Sequence, residues 1–273
     1  LSSATYIEGR QTQNRTPLPS GATKVAITGL TPDGHYVDPA GSGFEASLYV
    51  YQGKYVIAFS GTDPSDVNDL SADAMLGFGV MEEQLKQAAE FYKKVKAQVG
   101  VDITFTGHSL GGGLAALMGV FFNKPAVTFD PAPFRVAATL SNAQALQSYL
   151  TKPTANRPAY AIDADLASYT TTEQSIYTAQ TSLALTLSAI AAAAGVTPTP
   201  VLPLLSTFVA SSFARFLLTC QYPTTIRGEA NIKAIAVSGE FLTNGYKGFG
   251  SDWENALRIK STAQPELIDI NPV

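Results

Sequence analysis

One stretch constrains this chain more than any other: Thr104-Phe105-Thr106-Gly107-His108-Ser109-Leu110-Gly111-Gly112-Gly113-Leu114-Ala115-Ala116-Leu117. An extended, β-prone run from Val101 to Thr106 meets Gly-His-Ser-Leu-Gly and passes at once into a small-residue helical pattern. In that strand–turn–helix setting a G-x-S-x-G motif becomes a nucleophile elbow, whose sharp turn presents Ser109 at the top of a sheet. Gly107 and Gly111 are needed because a side chain there would collide where strand and helix pass closely. The bare pattern is loose; the apolar strand before it and the Gly/Ala-rich helix after it make it specific.

The flanking chain supplies a frame for such a turn. Phe44 to Tyr51, then Gln52-Gly53, then Lys54 to Ser60 reads as a β-hairpin. Its second arm, Tyr55-Val56-Ile57-Ala58-Phe59, is apolar throughout, as expected of a strand covered on both faces. Over Val80 to Val99, the residues Leu85, Ala88, Ala89, Tyr92, Val95 and Val99 recur at helical spacing, with lysines and glutamates opposite. Ala126 to Asp130 is the next strand, 141–150 a helix, Pro158 to Asp163 a further strand, and Asn231 to Ser238 the last. This order predicts an α/β fold with a doubly wound, mostly parallel sheet. The turn-rich segment Leu30 to Gly43 reads as a loop, with His35 a solvated loop histidine in the plainer reading.

With 273 residues the chain suits one domain, 1–273, with enough length for a substantial core. Its net charge of −4 leaves no basic footprint, so no nucleic acid is expected as a partner. Cys220, the one cysteine, rules out an internal disulfide or a cysteine-based metal site and reads as a small buried residue. No charged segment followed by an apolar run lies near Leu1, so a processed or excised form is expected. Residues 173–219 form an apolar helical insertion, broken by Gly195 and by Thr197-Pro198-Thr199-Pro200. Neither half reaches the run of about 18–20 apolar residues that a membrane span needs. The hairpin over 182–218 is either packed in the core or a lid or cap that offers an apolar surface to lipid.

Three of these segments carry a resemblance. Val56-Ile57-Ala58-Phe59-Ser60-Gly61-Thr62 looks like an oxyanion-loop strand, Thr106 to Gly112 like a nucleophile elbow with histidine before the serine, and Val127-Thr128-Phe129-Asp130-Pro131-Ala132-Pro133 like the strand that follows. From about Gly43 to Asp165 the chain resembles the class 3 lipases, which are α/β-hydrolases. The resemblance implies a carboxylic ester hydrolase acting on lipids, either a triacylglycerol lipase or phospholipase A1-like. Ser109 would attack the ester to form an acyl-enzyme. Backbone N–H groups of Leu110 and Thr62 would hold the oxyanion, with the Thr62 hydroxyl as a third donor. Ser60 stands where the family usually has arginine. The acid is expected after the serine, at Asp165 ahead of Asp163, with Asp130 as an outside candidate. No metal or organic cofactor is implied. A lipid or ester substrate, contact with a lipid–water interface and secretion are the favoured expectations.

One part is out of place. The chain has two histidines, His35 and His108, and none after the nucleophile, where the fold keeps its general base. The base lies beyond Val273, or His35 reaches the site, or the protein is a catalytically silent module that binds lipid or another protein.

Overall fold

The computed structural model describes residues 1–6, 16–39, 42–61, 78–100, 102–132, 134, 137–155, 157–176, 178, 227–237 and 266–268. Thr62 and the hairpin expected over 182–218 lie outside the described residues, as does the 173–219 insertion from 179 onward.

Strands β1 (Thr23–Lys24), β2 (His35–Val37), β3 (Glu45–Tyr51), β4 (Lys54–Phe59), β5 (Ile103–His108), β6 (Ala126–Phe129), β7 (Ile232–Val237) and β8 (Glu266–Ile268) form one sheet. Its order is β1-β3-β4-β5-β6-β7-β8, with β2 also paired to β3. Strands β1 to β4 pair antiparallel, and every pairing from β4 to β8 is parallel. The β3–β4 hairpin closes on Gln52 and Gly53, both at positive φ (51° and 75°), the twist that a two-residue hairpin turn requires. The helices are α1 (Phe78–Val99), α2 (Leu110–Phe122), α3 (Leu140–Thr151) and α4 (164–176). The molecule is thus mixed α/β with a mostly parallel central sheet.

Alternation along the strands sorts the two faces. Ala46, Leu48, Ile57, Phe59, Ile103 and Phe105 join the core with Leu85, Ala88, Tyr92 and Val95 of α1 and nearly all of α2. Phe59 stacks on Phe105 at 5.9 Å between ring centroids, and Tyr92 lies edge-on to Phe105 at 5.4 Å. The periodicity read in the sequence is therefore the buried face of α1. Tyr49, Val56 and Ala58 point the other way, where Leu1 and Leu18 pack against them. Among the described residues the helices gather on one face of the sheet, so the doubly wound arrangement expected from the sequence is seen only as its parallel half.

Two expectations need correction. The segment 158–163 is not a strand: it runs as coil with Ile162 59% exposed, and α4 begins directly after Asp163. The strand that follows β6 in the sheet is β7, much later in the chain. Residues His35 to Val37 are not loop but the short edge strand β2, in register with Glu45 to Ser47.

Candidate active site

The site grows from the crossing of β5 and α2. Ser109 is the residue between them, with φ 56° and ψ −126°, a left-handed conformation that costs a side-chain-bearing residue of order 1–3 kcal/mol. Neighbouring backbone holds it there. The Ser109 N–H donates to the Phe129 carbonyl (3.1 Å), and the Ser109 carbonyl accepts from the N–H groups of Gly113 (3.1 Å) and Ala132 (2.8 Å). A Cβ at Gly107 would strike the Gly111 carbonyl, and one at Gly111 would strike the Phe59 carbonyl. The glycines thus let α2 cross directly over the ends of β4 and β5. Ser109 makes no capping hydrogen bond to α2 through its side chain.

Of the two residues expected to donate around it, one is described. Leu110 opens α2, where an N–H has no carbonyl partner within its own helix. Thr62 is outside the described residues, but Gly61 before it is placed. A Cβ on Gly61 would lie 2.8 Å from the His108 carbonyl oxygen and 3.1 Å from Ser109 Cβ, so the end of β4 touches the elbow. The Ser60 hydroxyl donates to the Glu45 carboxylate (3.1 Å), and the Ser60 N–H donates to the Glu45 carbonyl (3.1 Å). That pair anchors the strand end to β3.

Neither favoured carboxylate meets Ser109. Asp163 caps α4, accepting the Asp165 N–H (3.1 Å), and its carboxylate binds Lys96 (3.1 Å) and Lys93 (3.6 Å) on the last turns of α1. Asp165 accepts from Asn123 (3.5 Å), and Asn123 is the C-cap of α2. Ser109 sits at the other end of that helix, about 20 Å away at 1.5 Å per residue. Both aspartates therefore lie at the edge of the sheet opposite the nucleophile.

The carboxylate that does lie at the elbow's edge is Asp130. In the β5–β6 register His108 pairs with Phe129, so the next residues, Ser109 and Asp130, leave adjacent strands side by side. Asp130 is 4% exposed, adopts φ 42°, and donates its N–H to the Ile235 carbonyl of β7 (2.7 Å). The sequence signal for it was the carboxylate directly closing an apolar strand before two prolines.

Both histidines are engaged elsewhere. The His108 Nδ1 is 3.1 Å from the Tyr6 hydroxyl. The His35 Nδ1 is 2.8 Å from the Ser47 hydroxyl on β3. Three strand spacings, about 14 Å, separate β2 from β5 across the sheet. His35 therefore does not reach Ser109 in this arrangement. Among the described residues no cluster of His, Cys, Asp and Glu could hold a metal ion, and no helix is long and apolar enough to cross a membrane.

Asp163 has a structural consequence that can be measured. Burial works to raise its pKa, but the hydrogen bond and charge of Lys96, with Lys93 and the Asp165 N–H, outweigh it and hold the group below the usual carboxylate value. A depressed folded-state pKa stabilises the protein above the unfolded value near ~3.9, and the contribution is lost as pH falls through the folded value. Asp163→Asn, whose amide oxygen can still cap the helix, should cost about 1 kcal/mol at pH 7 through the lost pairing with Lys96 and Lys93, and should flatten the stability profile below about pH 4. Thermal unfolding between pH 3 and pH 7 checks this; equal slopes for both proteins would show the pairing to be inert.

A mostly parallel sheet thus carries a serine on a strained strand-to-helix turn beside a strand-end carboxylate, the strand–turn–helix setting expected of a nucleophile elbow. Comparison with known proteins places it more closely. Residues 1–210 match the phospholipase-like family described as the Tle-like phospholipase domain, and the chain belongs to that family. The placement is in a lipase and phospholipase family and not specifically among the class 3 lipases that the motifs resemble. The chain is also similar to the extracellular phospholipase A1 of Serratia liquefaciens, 38% identical over 107 residues. That alignment covers 39% of this chain and 33% of the relative.

Proposed function

We propose that the chain is a phospholipase A1-like carboxylic ester hydrolase on an α/β-hydrolase frame, with Ser109 as its nucleophile. The observation that carries this is the conformation of Ser109 at the end of β5, a strained turn held by three backbone hydrogen bonds. The phospholipase family, and a relative named for phospholipase A1 activity, support an acyl ester of a phospholipid as substrate. The relative's description as extracellular supports secretion.

In this reading Ser109 Oγ adds to the ester carbonyl, and the N–H groups of Leu110 and Thr62 bind the oxyanion that develops. Each such donor commonly contributes about 2.7–4 kcal/mol to the transition state. The tetrahedral intermediate collapses to the acyl-enzyme and expels the alcohol, a lysophospholipid, which takes up the proton lost by Ser109; water then hydrolyses the acyl-enzyme and releases the fatty acid. Asp130 is the acid that orients the base, in place of Asp163 and Asp165, because it alone of the three emerges beside the elbow. The base is a histidine that neither His35 nor His108 supplies from its described position. The chain is read as one domain.

A fluorophosphonate probe, together with phosphatidylcholine labelled separately in each acyl chain, tests the proposal on the full-length gene product. Labelling at Ser109 and release of the sn-1 fatty acid are the expected results. A protein that resists the probe and hydrolyses neither ester, yet binds phosphatidylcholine vesicles, would instead be the catalytically silent module. The engagement of both histidines elsewhere is the observation that favours that second reading.

A further inference from the structure

We infer that Tyr6 is a positioning residue for the elbow, tying Gly61 at the end of β4 to His108 at the end of β5 through a two-bond relay. The inference rests on the nucleophile reading of Ser109 and deepens it. The Gly61 N–H donates to the Tyr6 hydroxyl oxygen at 2.9 Å, and the same oxygen lies 3.1 Å from His108 Nδ1. The phenol oxygen accepts from Gly61, and its hydrogen bond with His108 Nδ1 runs in the direction that the imidazole tautomer sets. The two rings meet edge-on, with centroids 6.2 Å apart. One side chain thus joins the residue before Thr62 to the residue before Ser109. Those are the two places from which the oxyanion donor and the nucleophile depart.

Tyr6 is itself fixed from the other side. It follows a single 3-10 turn (Ser3–Thr5), where the Thr5 hydroxyl donates to the Leu1 carbonyl (3.0 Å) and the Tyr49 hydroxyl donates to the Ala4 carbonyl (3.1 Å). Tyr49 is fully buried on β3, and Tyr6 is 7% exposed. A buried N–H whose acceptor is removed has no water to turn to, so loss of the phenol oxygen must be met by movement of the Gly61 peptide. That movement is felt at the elbow, because a Cβ on Gly61 would lie 2.8 Å from the His108 carbonyl oxygen and 3.1 Å from Ser109 Cβ. Shifting that peptide displaces Gly61, which lies against Ser109 and directly precedes the residue read as the second oxyanion donor. The relay therefore acts on the transition state and leaves ground-state binding of the lipid alone.

Tyr6→Phe keeps the ring and removes the oxygen. In the full-length protein, kcat for a soluble p-nitrophenyl ester should fall about tenfold with KM within about twofold, and fluorophosphonate labelling of Ser109 should slow by the same factor. Amide exchange at Gly61 should quicken, with the melting temperature nearly unchanged. His108→Ala should give a similar kcat loss, and the double variant should be no worse than either single one, since both break the same relay. If Tyr6→Phe keeps the wild-type kcat in an active protein, the inference is overturned while the nucleophile reading stands. Additive losses in the double variant would overturn it as well. A wild-type protein that neither hydrolyses esters nor takes the probe overturns the underlying reading, and this inference with it.

Discussion

Ser109→Ala is expected to reduce ester hydrolysis by about 10⁴- to 10⁶-fold, because the acyl-enzyme route closes when the attacking oxygen is gone. The same position makes a second, opposite statement about stability. At φ 56° and ψ −126° any Cβ is strained, and glycine is not. Ser109→Gly should be as inactive as Ser109→Ala and more stable than it by about 1 kcal/mol, read as a higher midpoint in urea. A variant that retained more than about a hundredth of the activity would remove Ser109 from the mechanism. Equal stability of the two variants would mean that the turn is relaxed.

Asp130→Asn carries the next largest effect. If Asp130 orients the base, losing its charge should lower kcat by about 10³- to 10⁴-fold with the fold intact, since an amide favours the wrong imidazole tautomer. Asp163→Asn and Asp165→Asn serve as the contrast. Both residues lie at the far end of α2, and their substitution should leave kcat within about twofold, with Asp163→Asn alone lowering stability appreciably. Initial rates on a soluble ester, with circular dichroism to confirm folding, decide between the three carboxylates. A catalytic loss at Asp165 with none at Asp130 would reverse the assignment.

The frame was readable because its residues leave little choice. Tyr55 to Phe59 is apolar on both faces and is a central strand; Leu85 to Val95 repeats at helical spacing and is the buried side of α1. The elbow was readable for a stricter reason, since the glycines at 107 and 111 answer close backbone contacts. The acid was not. Ala161-Ile162-Asp163 looks like an aliphatic strand ending in a carboxylate, yet Ile162 faces solvent and Asp163 caps a helix. An aspartate at a helix start and one at a strand end share the same local sequence, and tertiary placement alone separates them. Strand β2 was hidden because three residues with polar neighbours, paired on one edge, carry too short a pattern to see. Tyr6 offered no signal, since its partner His108 is 102 positions away along the chain.

The backbone bonds that hold Ser109 come from two directions. Gly113 is local, but Phe129 and Ala132 belong to the next strand and its exit, so the turn is clamped by chain that follows it. Before β6 docks against β5, only the local Gly113 bond is available, and a residue with a Cβ relaxes to an ordinary conformation. The strained geometry of this serine is thus acquired late, as a property of the assembled sheet. A nascent or partly unfolded chain carries the same hydroxyl on ordinary backbone.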